Sequence, residues 1–286
     1  MPKRKKPITG DSVPKNIIRF FSILQKLSTN ITVRFANRLF STPIKYKIPK
    51  REFRMDAESQ QEFTFIPTIQ KKVMTYRYGK SSKKILLVHG WSGRGTQLVK
   101  IADAMIVLGY ETISFDAPAH GKSPGKTTLM PEFIASILEL EKTYGPFEFV
   151  IGHSLGGMSI LNAIKQGLNV KKAIIIGSGD SVTAILNDFV SKLQLAPSIA
   201  IKMKNRFEEK FQIDMESFSS YIAAEQCNIP ILLLHDKNDF DVPFTASENI
   251  HAHLKNSQLI LTENLGHRKI LGDEKVIQAI QNFLSQ

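Results

Sequence analysis

The segment FVIGHSLGGMS, Phe149 to Ser159, constrains the fold of this chain more than any other. A short apolar run ends in Gly152-His153-Ser154-Leu155-Gly156, and an apolar stretch at helical spacing follows at once. That order predicts a buried strand, a turn too tight for side chains two positions either side of the serine, and a helix from Leu155 to Gln166. Strand leading straight into helix is the unit of a parallel sheet, because parallel strands need a crossover between them.

The same rhythm runs along most of the chain. EFTFI (62–66) and KVMTYRY (72–78) read as short strands forming a hairpin. KILLVHG (84–90), ETISFDA (111–117), FEFVIGH, KKAIIIGSG (171–179), IPILLLHD (229–236) and SQLILT (257–262) read as further strands. Helical patterns fall at 98–108, 131–143, 155–166, 243–255 and 273–284. The expected fold class is therefore α/β, with about eight mostly parallel strands and helices on both faces. Between Ser178 and Cys227 the alternation stops. Ile185, Phe189, Leu193, Met203, Phe207 and Phe211 recur there at helical spacing, which predicts a helical cap over about 179–227, above the carboxyl edge of the sheet.

A chain of 286 residues is long enough for one large domain of this kind. The single cysteine, Cys227, excludes an internal disulfide framework and a cysteine zinc site, and suits a reducing compartment. No run approaches the roughly 20 apolar residues of a membrane-spanning helix. MPKRKK has the basic start of a signal peptide, but Arg19 and Lys26 break the apolar core that should follow, so the expected location is cytoplasmic.

The net charge of +12 is confined to one end. Residues 1–54 hold fourteen Lys and Arg against Asp11 and Glu52, while residues 55–286 carry 24 of each sign. The chain thus divides into a basic arm (1–54) and a main domain (55–286). Residues 1–15 read as disordered. An apolar stripe of Ile17, Phe20, Phe21, Leu24, Leu27, Ile31, Phe35 and Leu39 then predicts an amphipathic helix, with a break at Ser28–Asn30, followed by an extended linker through Pro43 and Pro49. Two readings of the arm stand: a helix packed on the domain, which is preferred, or a helix lying on an anionic membrane surface. Nucleic acid fits less well, since no binding module accompanies the charge.

Ser154 at a strand-to-helix corner is a candidate nucleophile. Adjacent His153 is set aside as its base, because neighbouring side chains on a strand diverge. His267, in the loop after the last strand, has the position and chain order of a general base. His251 and His253 read as surface, and His235 precedes the acid. HDKNDFDVP offers Asp236, Asp239 and Asp241; Asp239 is the first choice to hold the histidine, Asp241 the second, and the remaining acid is assigned to solvating the loop. The N–H groups of Leu155 and Trp91 are candidates for an oxyanion hole. HGWSGRGTQ lacks the spacing of a phosphate-binding loop.

Together LLVHGWSG (86–93), FDAPAHGKSPG (115–125), GHSLGG (152–157), LLLHDKNDFDVP (232–243) and LGHRKIL (265–271) resemble the serine-hydrolase branch of the α/β-hydrolase superfamily, over about residues 60–286. The resemblance implies Ser154 as nucleophile, Asp239 as acid, His267 as base, and Trp91 and Leu155 as oxyanion hole. It also implies that DAPAHGKS is a structural turn, so that His120 is not catalytic. The expected activity is hydrolysis of an ester or thioester of a small or acyl-chain substrate, with no cofactor and no metal. A non-catalytic binding protein on this fold, or a perhydrolase, amidase or lactonase on the same residues, is the alternative.

Overall fold

The computed structural model describes residues 13–286. An eight-stranded sheet forms the centre, in the order β1-β2-β4-β3-β5-β6-β7-β8. Its strands are β1 (Gln60–Ile66), β2 (Lys71–Tyr78), β3 (Lys84–Val88), β4 (Glu111–Asp116), β5 (Phe149–His153), β6 (Lys172–Ile176), β7 (Ile231–Asp236) and β8 (Ser257–Thr262). β1 and β2 form the expected antiparallel hairpin, and β2 pairs antiparallel with β4. Every pairing from β4 to β8 is parallel.

The central strands β3, β5, β6 and β7 read as largely apolar runs because both their faces are buried, whereas the edge strands β1 and β8 are partly exposed. Successive residues go to opposite sides: Leu86, Val88, Val150, Ala173, Ile175, Ile231 and Leu233 enter one core, and Ile85, Leu87, Ile151, Ile174, Ile176, Leu232 and Leu234 the other. Twelve helices occur among the described residues: α1 (Lys15–Leu27), α2 (Thr29–Phe40), α3 (Phe53–Glu58), α4 (Val99–Val107), α5 (Met130–Tyr144), α6 (Leu155–Lys165), α7 (Val182–Lys192), α8 (Ser198–Phe211), α9 (Ser220–Ala224), α10 (Thr245–His253), α11 (Gly266–Lys269) and α12 (Glu274–Ser285). α4 and α12 close the second core through Ile101, Met105, Val276, Ile280 and Phe283. α5 and α6 close the first through Phe133, Ile137, Ile160 and Leu161.

The helical excursion between β6 and β7 contains α7, α8 and α9. Leu186, Val190, Met203 and Phe207 sink into the first core, so much of its apolar content serves packing. The arm joins the same core. Phe21 of α1 and Val33 and Ala36 of α2 are buried there, and the Phe40 ring meets Phe189 at 5.2 Å and Phe207 at 6.1 Å. The break between the arm helices falls at Ser28, whose hydroxyl caps α2 by accepting from Ile31 N–H. The disorder expected for residues 1–15 lies, for residues 1–12, outside the described residues; α1 already begins at Lys15.

The extended linker read up to Phe53 gives way at its end to a 3-10 turn, Lys50–Glu52, and α3 then follows over residues to which the sequence assigns no element. The six residues of α3 are too few to show a helical period. Met55, fully buried in the second core, and Glu52, which accepts from Thr96 Oγ1 at 2.8 Å, hold the segment by long-range contacts.

Candidate active site

The carboxyl ends of β3, β5, β7 and β8 carry the loops that matter, at the edge where ligands bind in open α/β sheets. Ser154 follows β5 and heads α6 with φ 53° and ψ −122°. Left-handed φ is costly for a side chain other than glycine, on the order of 1–3 kcal/mol, and here the surroundings enforce it. Ser154 N–H donates to Ile176 O at 2.8 Å, and Ser154 O accepts from Gly157 N–H at 2.9 Å. The corner also depends on glycine. A Cβ on Gly156 would run into Val88 O and lie 2.7 Å from His89 O, both backbone atoms of the neighbouring strand end. Gly156→Ala is therefore expected to destabilise the protein by about 2 kcal/mol or more, read from the shift in urea midpoint. An unchanged midpoint would refute this account of the corner.

His267 is the second residue of α11, in the segment after β8. Its Nδ1–H donates to Asp239 Oδ2 at 2.6 Å, the tautomer in which a neutral imidazole keeps Nε2 as its acceptor. Asp239 is nearly inaccessible. Oδ1 accepts from the N–H groups of Asp241 (2.8 Å) and Val242 (2.9 Å), and His235 Nε2 approaches Oδ2 at 3.3 Å. Burial by itself raises the pKa of this carboxyl; the hydrogen bonds from His235 and His267 outweigh it and hold Asp239 far below the usual carboxylate range. Asp241, the second-choice acid, gives its backbone N–H to Asp239 and makes no hydrogen bond to His267.

Asp236, assigned to solvating the loop, is instead buried. It accepts from Gly266 N–H (2.8 Å), Leu265 N–H (3.1 Å), Asn238 N–H (3.0 Å) and Thr262 Oγ1 (2.8 Å). These bonds tie the loop after β7 to the loop that presents His267. Asp239, Asp241 and His267 offer ligand atoms within 4.8 Å of one another, the spacing of a metal site. Both oxygens of Asp239 are already spent on N–H donors, so an acid–imidazole pair accounts for the cluster without an ion.

His153 lies behind the serine, as its place on the strand predicts. Its Nε2–H donates to His267 O at 2.8 Å, and the two rings are 4.5 Å apart. Burial, then the neighbouring His267, lowers its pKa well below that of a free histidine, so it is neutral. This contact sets His267 beside the Ser154 corner. Among the described residues Ser154 Oγ and His267 Nε2 are not hydrogen-bonded to each other; such bonds commonly tighten only with substrate in place.

The loop after β3 is held at each residue around Trp91. His89 Nδ1–H donates to Gly90 O (2.7 Å), Gly93 N–H donates to the same oxygen (3.0 Å), and Ser92 N–H donates to His120 Nε2 (3.0 Å). Gly95 N–H donates to Asp116 Oδ1 at 2.7 Å. The N–H groups of Trp91 and Leu155 are different: among the described residues neither has an acceptor. His120 is thus a brace for the Trp91 loop, with its ring 5.3 Å from the indole. Sequence reasoning placed it in a structural turn but missed this brace, and missed His89 and His235 behind the site. The buried strand ends on which His89 and His235 sit were the available signal.

A model of the alpha/beta hydrolase family matches residues 85–271, which include all of these elements. The chain belongs to the alpha/beta hydrolase family. Membership gives its coarse class, a hydrolase. No curated protein matches this hydrolase in sequence. Among solved structures, an esterase from Pyrococcus furiosus superposes with TM-score 0.65 at 17% identity, covering 85% of this chain and 96% of that one. An esterase from Exiguobacterium antarcticum gives 0.63 at 18%, covering 79% and 100%. A bromoperoxidase from Bacillus anthracis gives 0.61 at 18%, also covering 79% and 100%. At such identity these likenesses speak to the fold of the hydrolase alone.

Proposed function

We propose that this hydrolase cleaves carboxylic esters, or thioesters, through an acyl-enzyme on Ser154. The observation that carries the reading is the 2.6 Å contact from His267 Nδ1 to Asp239 beside the strained serine corner. Ser154 Oγ attacks the carbonyl carbon while His267 Nε2 takes its proton. Asp239 fixes the tautomer and stabilises the imidazolium that forms. The carbonyl oxygen becomes an oxyanion and accepts from the unspent N–H groups of Trp91 and Leu155. Collapse expels the alkoxide or thiolate, which takes the proton from His267. Water then attacks the acyl carbon with His267 again as base, releasing the acid and restoring Ser154.

The preference for an apolar acyl group is read from the apolar side chains exposed on the site's own loops. Trp91 is 37% exposed and Phe240, between the two acids, is 58% exposed. Both favour an acyl chain over a charged group.

A fluorophosphonate probe, followed by peptide mapping of the wild-type protein, tests the assignment. Label is expected on Ser154 and nowhere else. Label at another serine, or none on folded protein, would overturn it and leave a binding protein on the same fold. A series of p-nitrophenyl esters then ranks acyl-chain length.

A further inference from the structure

Helices α1 and α2 are apolar on two sides. Phe21, Val33 and Ala36 face the core, yet Phe20, Ile23 and Leu27 on α1 and Ile31 and Phe35 on α2 are 45–75% exposed. These outward residues form one surface across the helix pair, since the Phe20 and Phe35 rings meet at 5.7 Å. Packing on the cap therefore does not account for them, and a single-chain protein seldom leaves so continuous an apolar face in water.

Charge identifies what covers it. Between Asp11 and Glu52 there are nine Lys and Arg and no acid. Arg19, Lys26, Arg34 and Arg38 are exposed on the two helices, and among the described residues none pairs with a carboxylate. With successive residues about 100° apart, Arg34 and Arg38 share a face with Ile31 and Phe35, and Arg19 and Lys26 flank Ile23. Long basic side chains placed so can reach headgroups while the apolar residues enter the acyl boundary. A second copy of this chain would bring the same sign of charge to the contact, so self-association is disfavoured. Among the described residues no helix is long and apolar enough to cross a membrane, so the contact is interfacial.

We propose that the outer face of α1 and α2 docks this protein on anionic lipid bilayers. The segment that leaves this helix pair reaches the site. After α2 the chain runs over the Trp91 loop, where Ile44 N–H donates to Ser92 Oγ (3.0 Å) and Arg94 Nη2 donates to Tyr46 O (2.6 Å). Ile44 and Tyr46 there are themselves exposed. Docking would hold the carboxyl edge of the sheet near the bilayer surface, whichever bond is cleaved.

Co-sedimentation of the full chain with vesicles tests this. Vesicles of equal parts phosphatidylglycerol and phosphatidylcholine are expected to bind at least about tenfold more protein than pure phosphatidylcholine at low salt, with the difference shrinking as salt rises. The triple substitution Ile23→Ser, Leu27→Ser and Phe35→Ser, at exposed positions, is expected to lower that binding about tenfold or more without shifting the thermal midpoint downwards. Arg34→Ser with Arg38→Ser is expected to lower it several-fold. Absence of binding, equal binding to both vesicles, or variants that bind like wild type would overturn the proposal. So would a dimer in sedimentation that the triple substitution dissolves, since that gives the face to a second copy.

Discussion

Ser154→Ala, His267→Ala and the double variant are expected to lose the same activity, each about 10⁶-fold in kcat on a p-nitrophenyl ester. The serine and the histidine act as one unit: an alcohol without a base is as inert as a base without an alcohol. Free energies of the two substitutions therefore do not add. Two independent roles would give a double variant with the product of the two losses, and that result would sink the assignment.

Asp239→Asn is expected to cost less, about 10⁴-fold. The asparagine retains the hydrogen-bonding shape but can present its NH₂ to Nδ1, which favours the wrong tautomer of His267. Asp241→Asn tests the choice between the acids. Its carboxylate makes no hydrogen bond to His267, and its contribution to Asp239 is a backbone N–H that the substitution keeps. A small change in kcat is expected there, and a loss as large as that of Asp239→Asn would transfer the role.

Most of the sheet was legible because its signals are local. KILLV, KAIII and ILLL are strands buried on both faces, and nothing distant is needed to read them. Gly152 and Gly156 on either side of Ser154 were equally plain, since the corner leaves no space for a Cβ at those two positions. Three features were not legible. Helix α3 is too short to show a period and is held by Met55 and Glu52 across long separations. Asp236 looked like one of three acids in a wet loop, and only the folded chain brings Thr262, Leu265 and Gly266 to it. The arm showed one amphipathic stripe in sequence; that its apolar residues divide between an inner and an outer face depends on how α7 and α8 receive the arm.

The buried histidines that brace the site carry the second large effect. Stability is expected to fall as pH drops from about 6.5 to 4, by up to about 1.4 kcal/mol per pH unit for each buried histidine. Burial lowers His89 to a pKa of about 4 and His120 to about 3, and His153 lies well below 6.5 for the same reason. Ala117 N–H donates to His89 Nε2 and Ser92 N–H to His120 Nε2, so a proton on either nitrogen would set two donors face to face. In the unfolded chain all three titrate near 6.5. Between that value and the folded pKa the unfolded state binds more protons, so acid favours unfolding. Glu52 and Glu141, raised chiefly by burial, act in the opposite sense above about 4.5, the ordinary glutamate value, and offset part of the slope. Asp239 adds to the acid loss only below the ordinary carboxylate range, because its folded pKa is depressed. Urea midpoints measured across this interval test the expectation. His120→Gln, which keeps an acceptor for Ser92 but has no site to protonate, is expected to be less stable at neutral pH and to show a shallower slope. A midpoint that does not change between pH 6.5 and 4, or a variant with the wild-type slope, would show that these imidazoles do not govern the acid response.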